Sequence, residues 1–442
     1  MGSLEHTGDS KPAALRGEEV SRTSTDYHRP YRTLPVAVFN HAGRLARRLG
    51  IGGGLRVDSM IAAARRKTGL DDFGDDWFVE PLNVLVKSIN EEARLSSMGY
   101  ALQKSRIVSA LSTRLCAQHL IGKHPEILDL DLGRIILIAG LQRTATTTLH
   151  RLIAADPCIR GLRAWEALNP VPLRGEKQGD PRRRIRLAKL AEKTIGLLAP
   201  EFAAIHPIRF DAPEEDVFLL DLSFMSQSPE AMMHVPSYAA WLERQDHTRA
   251  YRYLLAMLKL LQWQRPGRNW VLKTPNHMEH LDVALRVLPK TWVIQTHRDP
   301  KQAVASFCSM VAHGRGILSD HVDTGDIARH WVRKMQRMLE RSMKVRDSGN
   351  ADAFVDVSYY DLVSNPIDEL RAIYRHAGIE FTRRAANSAV ALAARDVKDR
   401  HGKHVYSLSS FGLNAEEIDR YFAFYASVFR IPDEGAGITG MS

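Results

Sequence analysis

Arg134–Pro157, RIILIAGLQRTATTTLHRLIAADP, is the segment around which this chain is organised. It begins with a short, fully apolar run over Ile135–Ala139, mostly β-branched, which is the pattern of a strand buried on both faces. A glycine and a threonine-rich turn follow, and the pattern over Thr148–Ala155 predicts a helix. A strand, a tight loop and a helix bring backbone N–H groups and a helix N-terminus together around one anion. The segment therefore predicts a phosphate-binding loop.

The predicted loop differs from the Walker A loop of kinases and ATPases. Walker A, G-x-x-x-x-G-K-[ST], requires a second glycine and a lysine, and here Ala145 and Thr146 occupy those places. We find no acidic strand end suited to Mg²⁺, which also disfavours a kinase. On this segment alone, a buried strand running into a threonine-rich helix cap without any ligand remains an alternative.

Composition predicts a globular protein without a disulfide framework or a metal site. Its 442 residues, 44% hydrophobic and 25% charged, leave room for a large α/β domain and a smaller helical portion. No apolar run approaches the roughly 20 residues of a membrane-spanning helix, and the N-terminus has no apolar signal-peptide core. The three cysteines are widely spaced, so we expect a reducing, cytoplasmic location.

The net charge of +10 is compatible with nucleic acid, an anionic membrane surface or a polyanionic small ligand as partner. Nucleic acid is disfavoured, because no aromatic residues are interleaved with the basic runs and no RNP, zinc-finger or helix-turn-helix signature is present. Basic amphipathic segments in the first 70 residues leave peripheral membrane contact open, with a solvated helix face as the alternative.

Strands alternate with helices along most of the chain. Apolar runs predict further strands at Trp270–Leu272, Trp292–Gln295 and Phe354–Ser358, each followed by a helical pattern. This order predicts an α/β fold with a P-loop-like, doubly wound parallel sheet flanked by helices, and a helical N-terminal portion. We divide the chain into a flexible tail at 1–30, a helical N-terminal portion at 31–130, an α/β domain at 131–430 and a C-terminal tail at 431–442.

Charged and aromatic residues follow the predicted strands. Arg143, Lys273, Arg298 and Tyr359 each lie just past a strand end. Because ligands of parallel α/β sheets bind beyond the carboxyl ends of the strands, we expect these four residues to face one crevice.

Three ordered motifs resemble those of sulfotransferases that use 3′-phosphoadenosine 5′-phosphosulfate (PAPS), in the bacterial-type branch of that family. They are GLQRTATT at 140–147, LKTPNH at 272–277 and HRDP at 297–300, against the family's GLPRTGTT, LKSPxH and HRDP. The similarity runs from about Thr68 to Phe429. The departures are Gln142 for proline and Ala145 for glycine. If Ala145 needs a positive φ, its methyl group costs about 1 kcal/mol.

The resemblance implies O-sulfation of a hydroxyl by metal-independent in-line displacement, with adenosine 3′,5′-bisphosphate (PAP) as the product nucleotide. It assigns the 3′-phosphate to Arg298 and Ser306, the region near adenine to Tyr359, and the leaving phosphate to Lys273. A late cationic stretch would close over the 3′-phosphate with Arg400, Lys403 and His404. The first loop would hold the 5′-phosphate through Gln142, Arg143, Thr144, Ala145, Thr146, Thr147 and Thr148.

Catalysis needs a cation at the leaving group and a base at the acceptor hydroxyl. Lys273 and the planar fork of Arg143 supply the cations. Glu166 is our preferred base, and His277 is the competing base or a substrate binder. Glu166→Gln is expected to abolish turnover while sparing nucleotide binding. Acceptor-side candidates are Trp165, His206, Glu214 and Glu215.

The acceptor itself is only loosely predicted. The segment between Trp165 and Trp263 should build its pocket, and the aromatic residues there favour a small lipophilic or aromatic alcohol over a carbohydrate. Two other functions stay open, a P-loop nucleotide kinase and a catalytically inactive nucleotide-binding protein of the same fold. Turnover of Mg-ATP would support the first. A salt-dependent gel shift without PAPS affinity would support the second.

Overall fold

A computed structural model describes residues 26–27, 30, 32–49, 53–177, 179–199, 202, 209–395 and 406–434. Nearly all of the predicted tail at 1–30 lies outside these ranges. Of the predicted C-terminal tail, residues 431–434 are described. Four candidate site residues also lie outside the described residues: His206, Arg400, Lys403 and His404.

The centre of the protein is a five-stranded parallel sheet with strand order β2-β3-β1-β4-β5. The prediction of four strands in a parallel α/β sheet is confirmed, and β2 was missed because two residues carry no periodic pattern. The strands are β1 Ile135–Gly140, β2 Arg160–Gly161, β3 Trp270–Lys273, β4 Thr291–His297 and β5 Phe354–Ser358.

Helices precede the sheet and connect its strands. The N-terminal helices are α1 Leu34–Arg48, α2 Val57–Thr68, α3 Val79–Glu92 and α4 Ser97–Lys123. Between β1 and β3 lie α5 Thr146–Ala154, α6 Ala164–Leu168, α7 Arg182–Leu198, α8 Val217–Leu220, α9 Ser228–Met232, α10 Pro236–Leu242 and α11 Thr248–Gln264. The remaining helices are α12 Leu281–Val287, α13 Pro300–Leu318, α14 Thr324–Val345, α15 Tyr359–Ser364, α16 Pro366–His376, α17 Arg383–Arg395 and α18 Ala415–Phe429.

Alternate residues of β1 are buried in two separate apolar cores. Ile135 and Leu137 belong to a large core that also contains residues of α2, α3, α4, α11, α13 and α14. Ile136 and Ile138 belong to a smaller core with residues of α5, α16 and α17. Burial on both faces accounts for the continuous apolar run of β1 and makes the sheet doubly wound. The helical N-terminal portion shares the larger core with the sheet.

The register of the sheet positions the loop after β1 between two other strand ends. Ile138 pairs with Lys273 on one side of β1, and Gly140 pairs with Thr296 on the other. The carboxyl ends of β1, β3 and β4 therefore lie at one edge, with the β1 loop in the middle. Among the described residues, no helix is both long and apolar enough to cross a bilayer.

Candidate active site

The loop between β1 and α5 contains two residues in the left-handed region. Arg143 has φ +70° and Ala145 has φ +62°. The condition stated for Ala145, a positive φ, is therefore met, and its methyl group costs about 1 kcal/mol relative to glycine. Because Ala145 completes the turn, α5 begins at Thr146, two residues before the predicted start.

The underside of the loop is fixed to β4. A Cβ atom on Gly140 would lie 2.0 Å from the Thr296 Oγ1 atom, so only glycine fits there. The Thr144 hydroxyl lies 2.7 Å from the Leu141 carbonyl oxygen, to which it donates, and 2.6 Å from Thr296 Oγ1. Because these two contacts occupy the Thr144 hydroxyl, the group that Thr144 has left for an anion is its backbone N–H.

The upper side of the loop carries the cations and exposed hydroxyls. Thr147 and Thr148 are exposed on the first turn of α5, whereas Thr146 is buried. The Arg298 Nη1 atom donates to the Arg143 carbonyl oxygen at 3.0 Å. Burial lowers the pKa of Arg143, and the positive charge of Arg298 acts in the same direction. The Arg298 guanidinium thus reaches the backbone of the loop that carries Arg143, and two positive charges in this region favour a bound polyanion.

Arg298 also contacts an aromatic ring and a carboxylate. Its guanidinium lies 3.9 Å from the centre of the Tyr359 ring. The Glu434 carboxylate accepts from its Nε and Nη2 atoms at 2.9 and 3.0 Å, and also accepts from the Tyr360 hydroxyl at 2.9 Å. Burial opposes protonation of Arg298, but the bond to Glu434 outweighs it and raises its pKa. Sequence reasoning missed Glu434, because no motif marks a carboxylate 136 positions after its partner.

Ser306, predicted to bind a phosphate together with Arg298, lies on α13, two turns after the end of β4. The residue is buried, and its hydroxyl has no hydrogen-bond partner among the described residues. Leaving a buried hydroxyl unpaired costs free energy that a ligand would recover. This unpaired hydroxyl fits the predicted role.

Lys273, at the end of β3, connects the phosphate loop to an acidic pair. Its side chain is almost fully buried, with the Nζ atom 3.4 Å from the Thr147 Oγ1 atom and 2.5 Å from a Glu215 carboxylate oxygen. Its backbone N–H donates to the Asp216 Oδ1 atom at 2.9 Å. Glu215 therefore binds the side chain of Lys273, and the next residue, Asp216, binds its backbone.

His277 is completely buried and bonded at both ring nitrogens. Its Nε2 atom lies 2.8 Å from the Asp216 Oδ2 atom, and its Nδ1 atom lies 2.7 Å from the Tyr251 hydroxyl. Burial raises the pKa of Asp216, but the neighbouring His277 outweighs this and lowers it below the ordinary value. Because both ring nitrogens are engaged in these contacts, neither is left for an acceptor hydroxyl in this structure.

Glu166, the preferred base from sequence, lies in a buried cluster of cations. Its carboxylate accepts from Arg160 and Arg265, each at 2.9 Å, and from the Arg163 backbone N–H at 3.0 Å. Burial opposes ionisation, but the bonds to Arg265 and Arg160 outweigh it and lower the pKa of Glu166. A base working near neutral pH needs the opposite shift. The contacts are those of a carboxylate that holds the first turn of α6.

An apolar cavity of about 760 Å³ lies beside Glu215, the ion-pair partner of Lys273. Two of the four acceptor-side candidates, Glu214 and Glu215, line it, together with Gln142 of the phosphate loop. The Gln142 Oε1 atom is buried and has no partner among the described residues. Trp165 is not among the lining residues that the structure describes, and it packs instead 5.0 Å from the Arg184 guanidinium.

The walls of the cavity come only partly from the segment predicted to build it. Phe202 and Phe218 lie within that segment, but much of the wall is contributed by α4 and α13, with Trp331 added from α14. Their side chains include Leu102, Phe307, Met310 and Trp331. Sequence reasoning missed these because each follows the apolar period of its own helix and is indistinguishable from a core residue. Among the described residues, no group of three or more His, Cys, Asp and Glu is placed to hold a metal ion.

The site lies within a region that matches a known family. A model of the sulfotransferase family matches residues 136–383, which is more than half of the chain. This match runs from β1 through α16 to the first residue of α17 and includes all three motifs. The chain belongs to the sulfotransferase family.

Two solved mycobacterial sulfotransferases share the fold over most of their length. Sulfotransferase STF1 from Mycobacterium tuberculosis H37Rv is 33% identical, with a TM-score of 0.75 over 84% of this chain and 99% of that chain. Sulfotransferase STF9 from Mycobacterium avium is 27% identical, with a TM-score of 0.78 over 86% of this chain and 98% of that chain.

A curated relative is more distant. The omega-hydroxy-beta-dihydromenaquinone-9 sulfotransferase Stf3 of Mycobacterium bovis is 22% identical over 263 residues, 55% of this chain. The corresponding protein of Mycobacterium tuberculosis matches equally. The match spans 62% of the length of these relatives.

Proposed function

We propose that this sulfotransferase uses PAPS as its donor and transfers the sulfuryl group to the hydroxyl of an apolar alcohol. The observation that carries the proposal is the place of Lys273, whose ammonium lies between the Thr147 hydroxyl of the phosphate loop and the Glu215 carboxylate at the apolar cavity. A cation at this junction can stabilise charge on a leaving phosphate while a carboxylate faces the acceptor.

On the donor side, the chain offers separate groups for two phosphates. In our proposal, Arg143 and the loop hydroxyls bind the 5′-phosphate, and Arg298 and the unpaired Ser306 hydroxyl bind the 3′-phosphate. The Glu434 carboxylate occupies the Arg298 fork that a 3′-phosphate would use, so nucleotide binding requires Glu434 to be displaced. Tyr359, stacked on Arg298, is then beside the nucleoside.

On the acceptor side, we propose Glu215 as the general base in place of Glu166. Both carboxylates pair with cations, but Glu215 lines the cavity, where an acceptor can reach it, whereas Glu166 is enclosed by arginines and is not among the described residues that line the cavity. In the transfer, Glu215 takes the acceptor proton, the acceptor oxygen forms a new bond to sulfur, and the bond from sulfur to the bridging phosphate oxygen breaks. The extra negative charge stays on PAP, beside Lys273.

The apolar walls of the cavity support an apolar acceptor. Its volume of about 760 Å³ is in the range of sites for drug-sized ligands. The curated relative Stf3 is named for a hydroxylated dihydromenaquinone, an acceptor of the same apolar class. We extend that class, and not that substrate, to this chain.

Thermal unfolding in the presence of PAP tests the donor. A ligand at about 100 times its Kd stabilises by roughly 2.7 kcal/mol, which raises the Tm by at least a few degrees. We expect PAP to stabilise the protein, AMP to stabilise it less, and Arg298→Ala to remove the difference. Stabilisation by Mg-ATP alone would support a nucleotide kinase instead, and stabilisation by no nucleotide would overturn the PAPS proposal.

A further inference from the structure

The outward side of α1 is apolar and exposed. Leu34, Val38 and Leu45 are between 54% and 76% exposed. Their spacing places them along one side of the helix. On the opposite side, Val36 and Asn40 are buried, and the Asn40 Oδ1 atom accepts from the Met98 backbone N–H at 2.8 Å. The helix is therefore attached to α4 by one side while its other side presents large aliphatic groups to solvent.

The outward side of α7 has the same character. Leu187, Leu190 and Leu197 are between 46% and 73% exposed, whereas Arg184 and Ala188 are buried, with Ala188 on the side away from Leu190 and Leu197. A helix that packs only by one side normally carries polar residues on the other. Two helices that both break this rule form an exposed apolar surface of the kind that marks a binding site.

Both helices border the same apolar cavity. Val36 of α1 and Ile195 of α7 line it. Three leucines that line the cavity are also exposed, which puts an apolar rim at its opening: Leu102 of α4, Leu168 of α6 and Leu198 of α7. The exposed leucines of α1 and α7 therefore extend the apolar lining of the cavity onto the surface.

Basic residues accompany the exposed leucines. Helix α1 contains no acidic residue, and α7 contains a single one, Glu192, which accepts from the Phe210 backbone N–H. Arg44 pairs with Asp320 at 3.4 Å. Among the side chains of the two helices that the structure describes, the exposed basic residues are Arg44, Arg48, Arg182, Arg183, Arg186, Lys189 and Lys193. Exposed leucines beside arginines and lysines are the combination found on helices that lie in the interface of an anionic membrane.

We propose that α1 and α7 dock this protein onto an anionic lipid bilayer, with the cavity opening against the membrane, so that an acceptor alcohol enters tail first from the lipid. This inference rests on the proposed function for the acceptor. A second copy of the chain fits the surface less well, because a twofold interface would bring the same positive charge against itself.

Binding of the full chain to lipid vesicles tests the docking surface and does not depend on catalytic turnover. The probes are vesicles of phosphatidylcholine alone and vesicles with roughly one third phosphatidylserine. We expect binding to the anionic vesicles, weakened by salt, and little binding to the neutral ones. The variant L34S/V38S/L190S/L197S should bind at least tenfold more weakly. None of its four positions lines the cavity, so its activity on a short, water-soluble alcohol should match the wild type.

Val390 and Val428 provide the matched control, since they are exposed valines on α17 and α18, outside the cavity lining. V390S/V428S should bind vesicles like the wild type. Equal binding by the wild type and the leucine variant, or no binding by either, would overturn the proposal. A concentration-dependent dimer that the leucine variant abolishes would assign the surface to a second copy instead. If the wild-type chain binds anionic vesicles but transfers no sulfuryl group to an apolar alcohol, the result contradicts the proposed function and still supports the docking surface.

Discussion

The donor side and the acceptor side of this site meet at Lys273, but the chain builds them in different ways. The donor side consists of residues that directly follow strands, such as Arg143 after β1 and Arg298 after β4. The acceptor side is a cavity whose walls come from α4, α7, α13 and α14, helices spread over more than half of the chain. A parallel sheet turns short local motifs into one site, whereas a cavity needs the packing of distant helices.

The two sides also differ in the kind of side chains that form them. On the donor side, the Arg298 guanidinium donates to the Arg143 carbonyl oxygen and to the Glu434 carboxylate. On the acceptor side, Gln142 carries a buried oxygen without a partner among the described residues, and the surrounding wall is apolar. Ligand binding on the donor side therefore depends mainly on charged contacts, and ligand binding on the acceptor side depends mainly on the shape of the cavity. Substitutions at charged donor and junction residues should have large and specific effects.

The largest effect is expected for Glu215→Gln, at the junction of the two sides. Loss of a general base lowers kcat by roughly 10²- to 10⁴-fold, and PAP binding should persist because the phosphate ligands are intact. Steady-state turnover together with PAP-induced thermal shifts measures both. Glu214→Gln is the matched control, since Glu214 lines the same cavity without the bond to Lys273 and should keep most of the activity. Turnover of Glu215→Gln at the wild-type rate would remove Glu215 from the base role.

Glu166→Gln should act on folding instead of chemistry. The substitution leaves Arg160 buried without its anionic partner, at a cost of about 3–5 kcal/mol in the free energy of unfolding. Urea unfolding measures this cost. Asp368→Asn removes an exposed ion pair with Arg371 and should cost under about 1 kcal/mol. Loss of turnover by a stable Glu166→Gln protein would restore Glu166 as the base.

The stability difference between the wild type and Glu166→Gln should also depend on pH. Because the folded protein lowers the pKa of Glu166 below its ordinary value of 4.5, its stabilising contribution is present above that value. The contribution is lost as the pH falls through the lowered pKa. The difference in unfolding free energy should therefore be largest near neutral pH and shrink in acid. If the difference in unfolding free energy stays constant as the pH is lowered, Glu166 is not ionised in the folded protein.

A smaller effect is expected for Glu434→Gln on the donor side. Removing the carboxylate that competes for Arg298 should tighten PAP binding by roughly fivefold, the equivalent of about 1 kcal/mol for a partly exposed ion pair. Calorimetric titration with PAP measures the change. Glu416→Gln, an exposed carboxylate at the start of α18, is the control and should leave the affinity unchanged. Weaker binding in Glu434→Gln would mean that Glu434 orients Arg298 for the nucleotide instead of competing with it.

The smallest effect is expected for Ala145→Gly in the phosphate loop. Glycine removes the steric cost of the left-handed conformation, which stabilises the folded protein by about 1 kcal/mol. It also raises the conformational entropy of the unfolded chain, which lowers the free energy of unfolding by about 0.4–1 kcal/mol. Stability should therefore change by less than about 1 kcal/mol. Ala155→Gly, at a right-handed position at the end of α5, gains nothing from glycine and should destabilise by about 0.5–1 kcal/mol. Equal effects at the two positions would argue against strain at Ala145.

Much of the donor side could be predicted from the sequence, because each of its parts is local. The apolar run of β1, the threonine-rich loop and the motifs after β3 and β4 each lie within a few residues, and the parallel sheet follows from their order. The helix ends that could not be predicted from the sequence depend on the backbone conformation of single residues. The apolar run that starts at Val217 continues to Phe224 and on its own predicts one helix, but α8 ends at Leu220, because Asp221–Ser223 form a 3₁₀ turn and Phe224 takes φ +57°.

The acceptor side and the roles of individual acids needed the tertiary structure. Glu166, Glu215 and Glu434 are alike in sequence, but one is enclosed by arginines, one contacts Lys273 at the cavity and one covers Arg298. Their partners are between 6 and 136 positions away along the chain. Periodicity and short motifs encode strands, loops and their order, since these depend on neighbouring residues. Cavity walls and ion-pair partners depend on contacts between distant segments, which only the folded chain decides.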